Sequence, residues 1–534
     1  RAGRSASVGL SRERSRARGT ALSARPSLVA LSVPTALLWL RHDLRLHDHA
    51  PLLAAQDHAG PDGRLLAVYC LDPRDFRETD WGVPKTGGHR ARFLLESLAD
   101  LRARMRDRGG DLVVRRGRPE AVVPTLYRET GATGLFYHDE PMREEMDVED
   151  ALLDALPQAD AHVYWGHTLV DIDALPFSID GLPRVYTPFR KAAERTQPYP
   201  DPLPAPTRLG PLSDGIEPGD IPTVADLGVE PLAVDDRAAI VLRGGETEGL
   251  ARLDAYLWER DQLRVYKETR NGMLGEDYSS KFSAWLAHGC LSARQIAAEV
   301  GRYEAERVSN KSTYWMLFEL LWRDFFRLYG AKHGDRLFWL SGPSEERGMP
   351  NRVDEGLYTK WREGRTGFPL VDANMIELRT TGFMSNRGRQ NAASFWVKHM
   401  RQDWRAGAAW FESMLADYDV TSNWGNWAYV AGVGSDPRDR YFDIETQGKK
   451  YDEDAAYVTH WIPALEGLPP KLAREPYRMT EMEQEMYGVR VGEHVPAPVL
   501  DYDRETQRLR SERGANGSGG GRPQRHRGKR TSRR

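Results

Sequence analysis

YWMLFELLWRDFFRLY, residues Tyr314–Tyr329, is apolar nearly all round its helical projection. A helix without a polar face has to lie inside a larger helical assembly. The stretch predicts a central helix and, around it, an all-helical domain. Glu319, Trp322 and Arg323 interrupt it on one side, at i, i+3 and i+4. A carboxylate and an indole at the bottom of a cavity can bind a flat heterocycle by hydrogen bonding and stacking. A buried Glu319–Arg323 pair beside a core tryptophan fits the same spacing equally well.

Helical patterning extends from Glu246 to about Tyr487. On the N-terminal side, Pro198–Pro231 holds nine prolines and several glycines, which reads as a long connector over a surface. Before it, ALLWL (Ala36–Leu40), RLLAVYCL (Arg64–Leu71), DLVVR (Asp111–Arg115), GLFYH (Gly134–His138) and HVYW (His162–Trp165) read as buried strands. They alternate with helix-like segments such as His89–Arg108. That alternation predicts a doubly wound parallel α/β sheet, with ligands near the strand C-termini. The expected organisation is a disordered or non-native extension over 1–33 and an α/β domain over 34–170. A linker over 171–245, a helical domain over 246–487 and a flexible basic tail over 488–534 follow.

Of 534 residues, 15 are tryptophan and two are cysteine, and the formal net charge of −3 gives no global attraction to nucleic acid. DNA contact would need a local patch. Cys70 and Cys290 are too far apart for a disulfide framework or a zinc site; no metal is expected, and a reduced, cytoplasmic setting is. No apolar run reaches the length of a membrane span. Arg1–Arg25 is rich in Arg, Ser and Ala, with Glu13 its only acid. That composition allows an organelle transit peptide, and equally an over-extended reading frame or a processed fragment, since the chain lacks an initiating Met. After Glu512 the chain has no acid, a glycine-rich stretch and basic residues to Arg534. It reads either as a flexible solvated tail or as a contact for RNA or another polyanion.

Four blocks carry candidate chemistry. LWLRHDLRLHDHAPL (Leu38–Leu52) ends the first strand, and its alternating charges Arg41, Asp43, Arg45 and Asp48 read by themselves as a solvated loop. In the block Tyr266–Ile296, Ser279, Ser280, Lys281, Phe282 and Ser283 precede a helix. Hydroxyls and free amides there suit a phosphate or pyrophosphate, and plain N-capping by serine suits them too. The third block is ELLWRDFF (Glu319–Phe326). The fourth runs from TGFMSNRGRQNAASF (Thr381–Phe395) through DWRAG (Asp403–Gly407) to ADYDVTSNWGNWAY (Ala416–Tyr429). So many buried charges are expensive without a ligand, and a flavin dinucleotide would satisfy them. Arg389 with Asp417 suits an ion pair over a flavin edge, Asp419 suits hydroxyls or ring N–H groups, and Asn423 offers an uncharged amide. Trp404 and Trp427 read as electron relays or as core. The glycines of AGVGSDP (Ala431–Pro437) follow no predicted strand, so they are not a dinucleotide fingerprint.

In this order, the four blocks resemble the photolyase/cryptochrome superfamily, most closely its DASH cryptochrome branch, over roughly Ala36 to Leu465. TGFMSNRGRQ, YDxxSNWGNWxY and GVGxDPRxRYF are specific in combination. The resemblance implies FAD in the helical domain, held by Tyr266, Ser279–Ser283, Arg323, Asn386, Arg389, Asp417, Asp419 and Asn423. It implies 5,10-methenyltetrahydrofolate as antenna, with Glu140 and Tyr418 on its side. Glu319, Trp322 and Tyr429 match the positions that receive a pyrimidine dimer, and Arg387 and Gln447 match DNA-side positions.

The implied activity is blue-light repair of cyclobutane pyrimidine dimers, mainly in single-stranded DNA, by a monomeric carbon–carbon lyase. The alternative is a blue-light photoreceptor with little or no repair. Two positions depart from the family pattern. His49 stands where asparagine is usual, which alters a local contact. Trp427 and Trp404 match the first two relay members, but Asn351 occupies the terminal tryptophan position, so slower or rerouted photoreduction is expected.

Overall fold

The computed structural model describes residues 33–344, 349–436 and 440–517. Apart from its last residue, the N-terminal extension lies outside them, as do the end of the basic tail and Pro437–Asp439 of the GVGxDPRxRYF motif.

Five strands form one parallel sheet in the order β3-β2-β1-β4-β5: β1 (Thr35–Leu40), β2 (Arg64–Leu71), β3 (Leu112–Arg116), β4 (Gly134–His138) and β5 (Asp160–Tyr164). Alternate side chains enter two cores, because successive residues of a strand point to opposite faces. Leu37, Trp39, Leu66, Val68 and Tyr137 meet α3 (Pro119–Glu129) and α4 (Arg143–Ala155) through Val123, Leu126, Leu152 and Leu156. Ala36, Leu38, Leu65, Ala67 and Phe136 face the opposite way. They join α1 (Ala50–Ala59), α2 (Gly88–Arg106) and the core of the helical half. Both faces are covered, as near-continuous apolar strands require.

The central helix spans Lys311–His333. Asn310 starts it with a capping box: its Oδ1 accepts from the amides of Ser312 and Thr313, and Thr313 Oγ1 accepts from Asn310 N. From Leu320 to Gly330 all but Trp322 and Arg323 are buried. No helix among the described residues is long and apolar enough to cross a membrane.

Three expectations change. The charge run Arg41–Asp48 is not a solvated loop; Arg41, Asp43, Arg45 and Asp48 are all buried. Arg45 donates to Gly289 O at 2.9 Å and to the carbonyls of His47 and Asp48, and Leu44 N donates to His288 O at 3.2 Å. The charges are satisfied because the helical half covers them, which local spacing does not reveal. The segment 171–245 contains a packed helix, α5 (Tyr186–Ala193), with Tyr186, Phe189 and Ala193 buried at i, i+3 and i+7. The flexible tail does not begin at 488. A helix starts at Tyr502, Val495, Tyr502 and Leu509 are buried, and Tyr502 Oη accepts from Ile444 N at 3.0 Å. Three apolar side chains outweigh the polar composition around them.

Candidate active site

The central helix presents Glu319 and Trp322 one turn apart. Glu319 does not pair with Arg323. Its Oε1 accepts from Arg270 Nη1 at 2.6 Å and from Trp315 Nε1 at 3.1 Å. Burial pushes the Glu319 carboxyl above its ordinary range, while the Arg270 charge and the Trp315 bond oppose it. Arg323 donates to the carbonyls of His167 and Leu286 instead. Trp322 stacks on Tyr186 at 3.7 Å between ring centroids and meets the edge of Tyr429 at 6.2 Å, with planes at 88°. Arg440 donates to the Tyr429 hydroxyl and pairs with Asp436 at 2.9 Å.

Next comes the Arg389–Asp417 block. Ser385 Oγ caps the helix Asn386–Ser394, accepting from Gly388 N at 3.0 Å. A Cβ on Gly388 would lie 1.8 Å from Asn374 Oδ1, so only glycine lets this helix pack so close. Arg389 donates to Met384 O at 2.9 Å and through Nη2 to both Asp417 oxygens, at 3.0 and 2.8 Å. Asp419 caps the next helix, Val420–Ala431, accepting from Ser422 N at 2.7 Å. Burial would raise its carboxyl, but the Arg323 charge and the Ser422 bonds hold it below the ordinary range. Asn423 is buried and donates to Ala408 O at 3.0 Å. Asn386 is exposed at the head of its helix, and Tyr266 is buried.

The serine block is not a set of N-caps. The helix Ser283–Ala287 has Phe282 at its cap and no side-chain cap bond. Ser280 and Phe282 are buried, Ser279 is half-buried and Ser283 exposed. Lys281, in the left-handed region at φ 56°, donates to Gly275 O and Glu276 O at 3.1 and 2.8 Å and lies 3.4 Å over the Tyr278 ring. Burial, then the neighbouring Arg252, bring its amine down to about 7. The hydroxyls of Tyr256 and Tyr278 and the amide of Asn391 are buried without a protein hydrogen-bond partner. Buried polar groups of this kind are ordinarily satisfied. A large polar ligand against these walls fits them, and the donor and acceptor set suits FAD.

The tryptophans form two branches. Trp427 touches Trp361 at 6.2 Å and Phe411 at 5.0 Å, and Trp361 continues to Trp396 at 4.9 Å. Trp404 packs on Trp424 at 5.8 Å, and among the described residues it shares no ring contact with Trp427. Asn351 is exposed.

A cleft of about 970 Å³ opens at the C-terminal ends of β1 and β2. Trp39, Trp81, Trp339, Trp424 and Tyr418 line it, with Arg90 lying 4.4 Å over the Tyr418 ring. Glu144 and Glu145 also line it. Glu140 is 3% exposed and paired with Arg327 at 2.9 Å, so the structure does not bring it to the cleft wall with Tyr418.

Among the described residues one group has metal-ligand spacing. Asp43, His49 and His138 are buried with ligand atoms within 4.8 Å of one another. Their hydrogen bonds place protons where a metal would need lone pairs. His49 Nδ1 accepts from Leu52 N at 3.1 Å, capping α1, which puts its proton on Nε2, 3.2 Å from Asp43 Oδ2. His138 Nδ1 lies 2.8 Å from the same oxygen. Asp43 thus accepts from His138, while His49 Nε2 stands beside it without a hydrogen-bond partner.

At the rim, Arg387 donates to Gln390 at 2.8 Å and to Asn271 at 3.1 Å and lies 4.6 Å over Tyr451. Gln447 Oε1 is buried without a partner. Sequence reading missed Tyr186, Arg270, Trp315 and Arg440. Tyr186 was legible in the apolar stripe of α5, and Arg440 sits in the quoted GVGxDPRxRYF motif. Nothing local pairs Arg270 with a carboxylate 49 residues away.

Residues 36–207 match the family model for DNA photolyase, and residues 315–514 that for the FAD binding domain of DNA photolyase. Cryptochrome DASH of Gloeobacter violaceus is 54% identical over 476 residues, covering 88% of this chain and 94% of that protein. Cryptochrome DASH of Natronomonas pharaonis is 50% identical over 482 residues, covering 89% of this chain and 100% of that one. Among solved structures, a Synechocystis cryptochrome matches with a TM-score of 0.86 at 46% identity, covering 90% of this chain and 99% of its own. A bacterial class III photolyase from Agrobacterium tumefaciens matches at 0.77 and 29% identity, covering 92% and 100%.

Proposed function

We propose that this chain, which belongs to the photolyase/cryptochrome superfamily in its cryptochrome DASH branch, is a blue-light-driven flavoenzyme that reopens cyclobutane pyrimidine dimers, mainly in single-stranded DNA. The observation that carries this reading is the aromatic corner of Trp322 and Tyr429, 6.2 Å apart, with the Glu319 carboxylate one helical turn away.

FAD would be held by Tyr266, Ser279–Ser283, Arg323, Asn386, Arg389, Asp417, Asp419 and Asn423, and when bound and reduced it supplies the light-driven electron for ring opening. The protein's own residues position and stabilise. Trp322 and Tyr429 hold the two flipped bases by stacking, and Glu319 hydrogen-bonds their carbonyl oxygens where negative charge develops. Extruding bases from a duplex costs a few kcal/mol, less from a single strand. Tyrosine at 429 presents a smaller platform than an indole, which favours the cheaper substrate. Arg387 and Gln447 contact the DNA strand at the rim.

Trp427 starts a relay that continues through Trp404, and Trp361 supplies a second branch in the absence of a tryptophan at 351. 5,10-Methenyltetrahydrofolate is assigned to the cleft. The indoles suit a pterin ring, the carboxylates of Glu144 and Glu145 suit its amino groups, and Arg74, Arg77 and Arg143 suit a glutamate tail. An absorbance band in the folate region, lost on extraction, tests that assignment.

The deciding experiment mixes photoreduced protein with dimer-containing single- and double-stranded oligonucleotides under blue light. Repair faster on the single strand is expected. Absence of repair on both, with reduced FAD bound, overturns the enzyme reading in favour of a photoreceptor.

A further inference from the structure

The carbonyl contact assigned to Glu319 has a chemical condition. An ionised carboxylate only accepts hydrogen bonds, and so does a base carbonyl; the two can bond only if Glu319 carries a proton. In this structure Glu319 is held as a carboxylate. Arg270 Nη1 lies 2.6 Å from Oε1, and Trp315 Nε1 donates to the same oxygen at 3.1 Å. Among the described residues Oε2 has no hydrogen-bond partner.

Arg270 is also the inner end of a basic rim. It follows the helix Tyr266–Thr269, and its neighbour Asn271 accepts from Arg387 Nη2 at 3.1 Å. The two guanidinium groups sense each other. Burial first and then the Arg270 charge lower the Arg387 guanidinium, against the opposing influence of Tyr451. Both guanidinium groups are partly exposed. A phosphate between them would relieve that repulsion and offer Arg270 a second anionic partner of matching geometry.

We propose that Arg270 is a phosphate-operated clamp on Glu319: a backbone phosphate of the bound nucleic acid replaces the carboxylate on the guanidinium, and the released Glu319 takes a proton from solvent and donates it to a base carbonyl. This rests on the nucleic-acid reading above. One ion pair is exchanged for another, and one proton is taken up from water. The groups facing Glu319 are Arg270, the Trp315 indole, and the hydroxyls of Tyr186 and Tyr266. Of these only Arg270 carries a charge that opposes protonation. Burial already favours the neutral acid, so removing Arg270 leaves burial to dominate. Arg270 is therefore a positioning residue, acting through Glu319.

The test is infrared spectroscopy of the flavin-loaded protein in the dark, reading the carboxylic-acid band of Glu319, identified by its loss in Glu319→Gln. Wild type should lack the band, gain it on binding an undamaged oligothymidylate, and not gain it with a methylphosphonate oligomer, whose backbone is uncharged. Arg270→Gln should show the band before any oligomer is added and bind the phosphate oligomer about tenfold more weakly, as expected for one charge-assisted contact. Arg270→Lys, which keeps the charge, should behave like wild type and guards against misfolding of the glutamine variant. If the oligomer binds by fluorescence anisotropy and the band neither appears in wild type nor precedes it in Arg270→Gln, the clamp is overturned while the nucleic-acid reading stands. If the oligomer does not bind, that reading falls and the clamp falls with it.

Discussion

Trp322 and Tyr429 stand perpendicular, with ring centroids 6.2 Å apart and planes at 88°, so the indole and phenol rings meet at a right-angled corner. The two residues come from different helices, Lys311–His333 and Val420–Ala431. The other face of Trp322 is covered by Tyr186 at 3.7 Å, which fixes the indole before any base arrives.

Tyr429→Ala removes one wall of that corner and leaves the Tyr186–Trp322 stack intact. Stacking of a base on an aromatic side chain contributes about 1–3 kcal/mol. Affinity for a dimer-containing single strand should fall roughly 5- to 150-fold by that measure. Filter binding or anisotropy in the dark checks it.

Asp417→Asn leaves Arg389 facing a neutral amide in a site where Asp417 is almost fully buried. Breaking a buried pair from one side costs about 3–5 kcal/mol, less here because Arg389 is 27% exposed. The variant should purify with markedly less FAD, read from the ratio of flavin to protein absorbance. Normal flavin content would remove the Arg389–Asp417 pair from the flavin wall.

Photoreduction of oxidised flavin should be slowed most by Trp427→Phe. Trp404→Phe and Trp361→Phe should each slow it less, and the double variant should approach Trp427→Phe, because the two rings have different partners: Trp361 touches Trp427, whereas Trp404 packs on Trp424. Continuous-illumination spectra measure these rates. A Trp404→Phe protein that photoreduces at the wild-type rate excludes that branch.

Two buried histidines should each contribute an acid-destabilising slope. Set against them are the buried carboxyls of Glu377, Glu149, Asp324 and Asp372, which burial raises to about 8, 7, 6 and 6 and which act in the opposite direction. Burial lowers His288 to about 3, helped by the charges of His42 and Arg90 and opposed by its bond to Ala416 O, and burial lowers His138 to about 4 despite Asp43. Both are neutral in the folded state where the unfolded chain binds protons, from an ordinary value of 6.5 downward. Their contribution is fully present above pH 6.5 and is lost as pH falls towards 4 and then 3. Denaturant unfolding between pH 7 and 5, compared between wild type and a histidine variant, isolates that contribution from the opposing carboxyls. His288→Gln, which can still donate to Ala416 O, should remove the His288 share of the acid-destabilising slope.

The strands and the central helix were legible because their apolar patterns are local. RLLAVYCL and GLFYH coincide with β2 and β4, and Tyr314–Tyr329 lies within the central helix. Reading failed where burial came from distant chain. Arg45 looked solvated because its partner carbonyl, Gly289, lies 244 residues away. The Tyr502 helix looked like tail because its acceptor role toward Ile444 is invisible in composition.

By itself the sequence determined the α/β half, the helical half and the residue types of the site, since periodicity and motif spacing are written along the chain. Only the tertiary structure decided the partners. Glu319 faces Arg270 rather than Arg323, Trp427 touches Trp361 rather than Trp404, and His49 caps a helix through Nδ1 while its Nε2 lies 3.2 Å from Asp43. Ion pairs and ring contacts depend on distances of a few ångströms between elements far apart in sequence. Those distances are set by how the helices pack, and packing is a property of the whole fold.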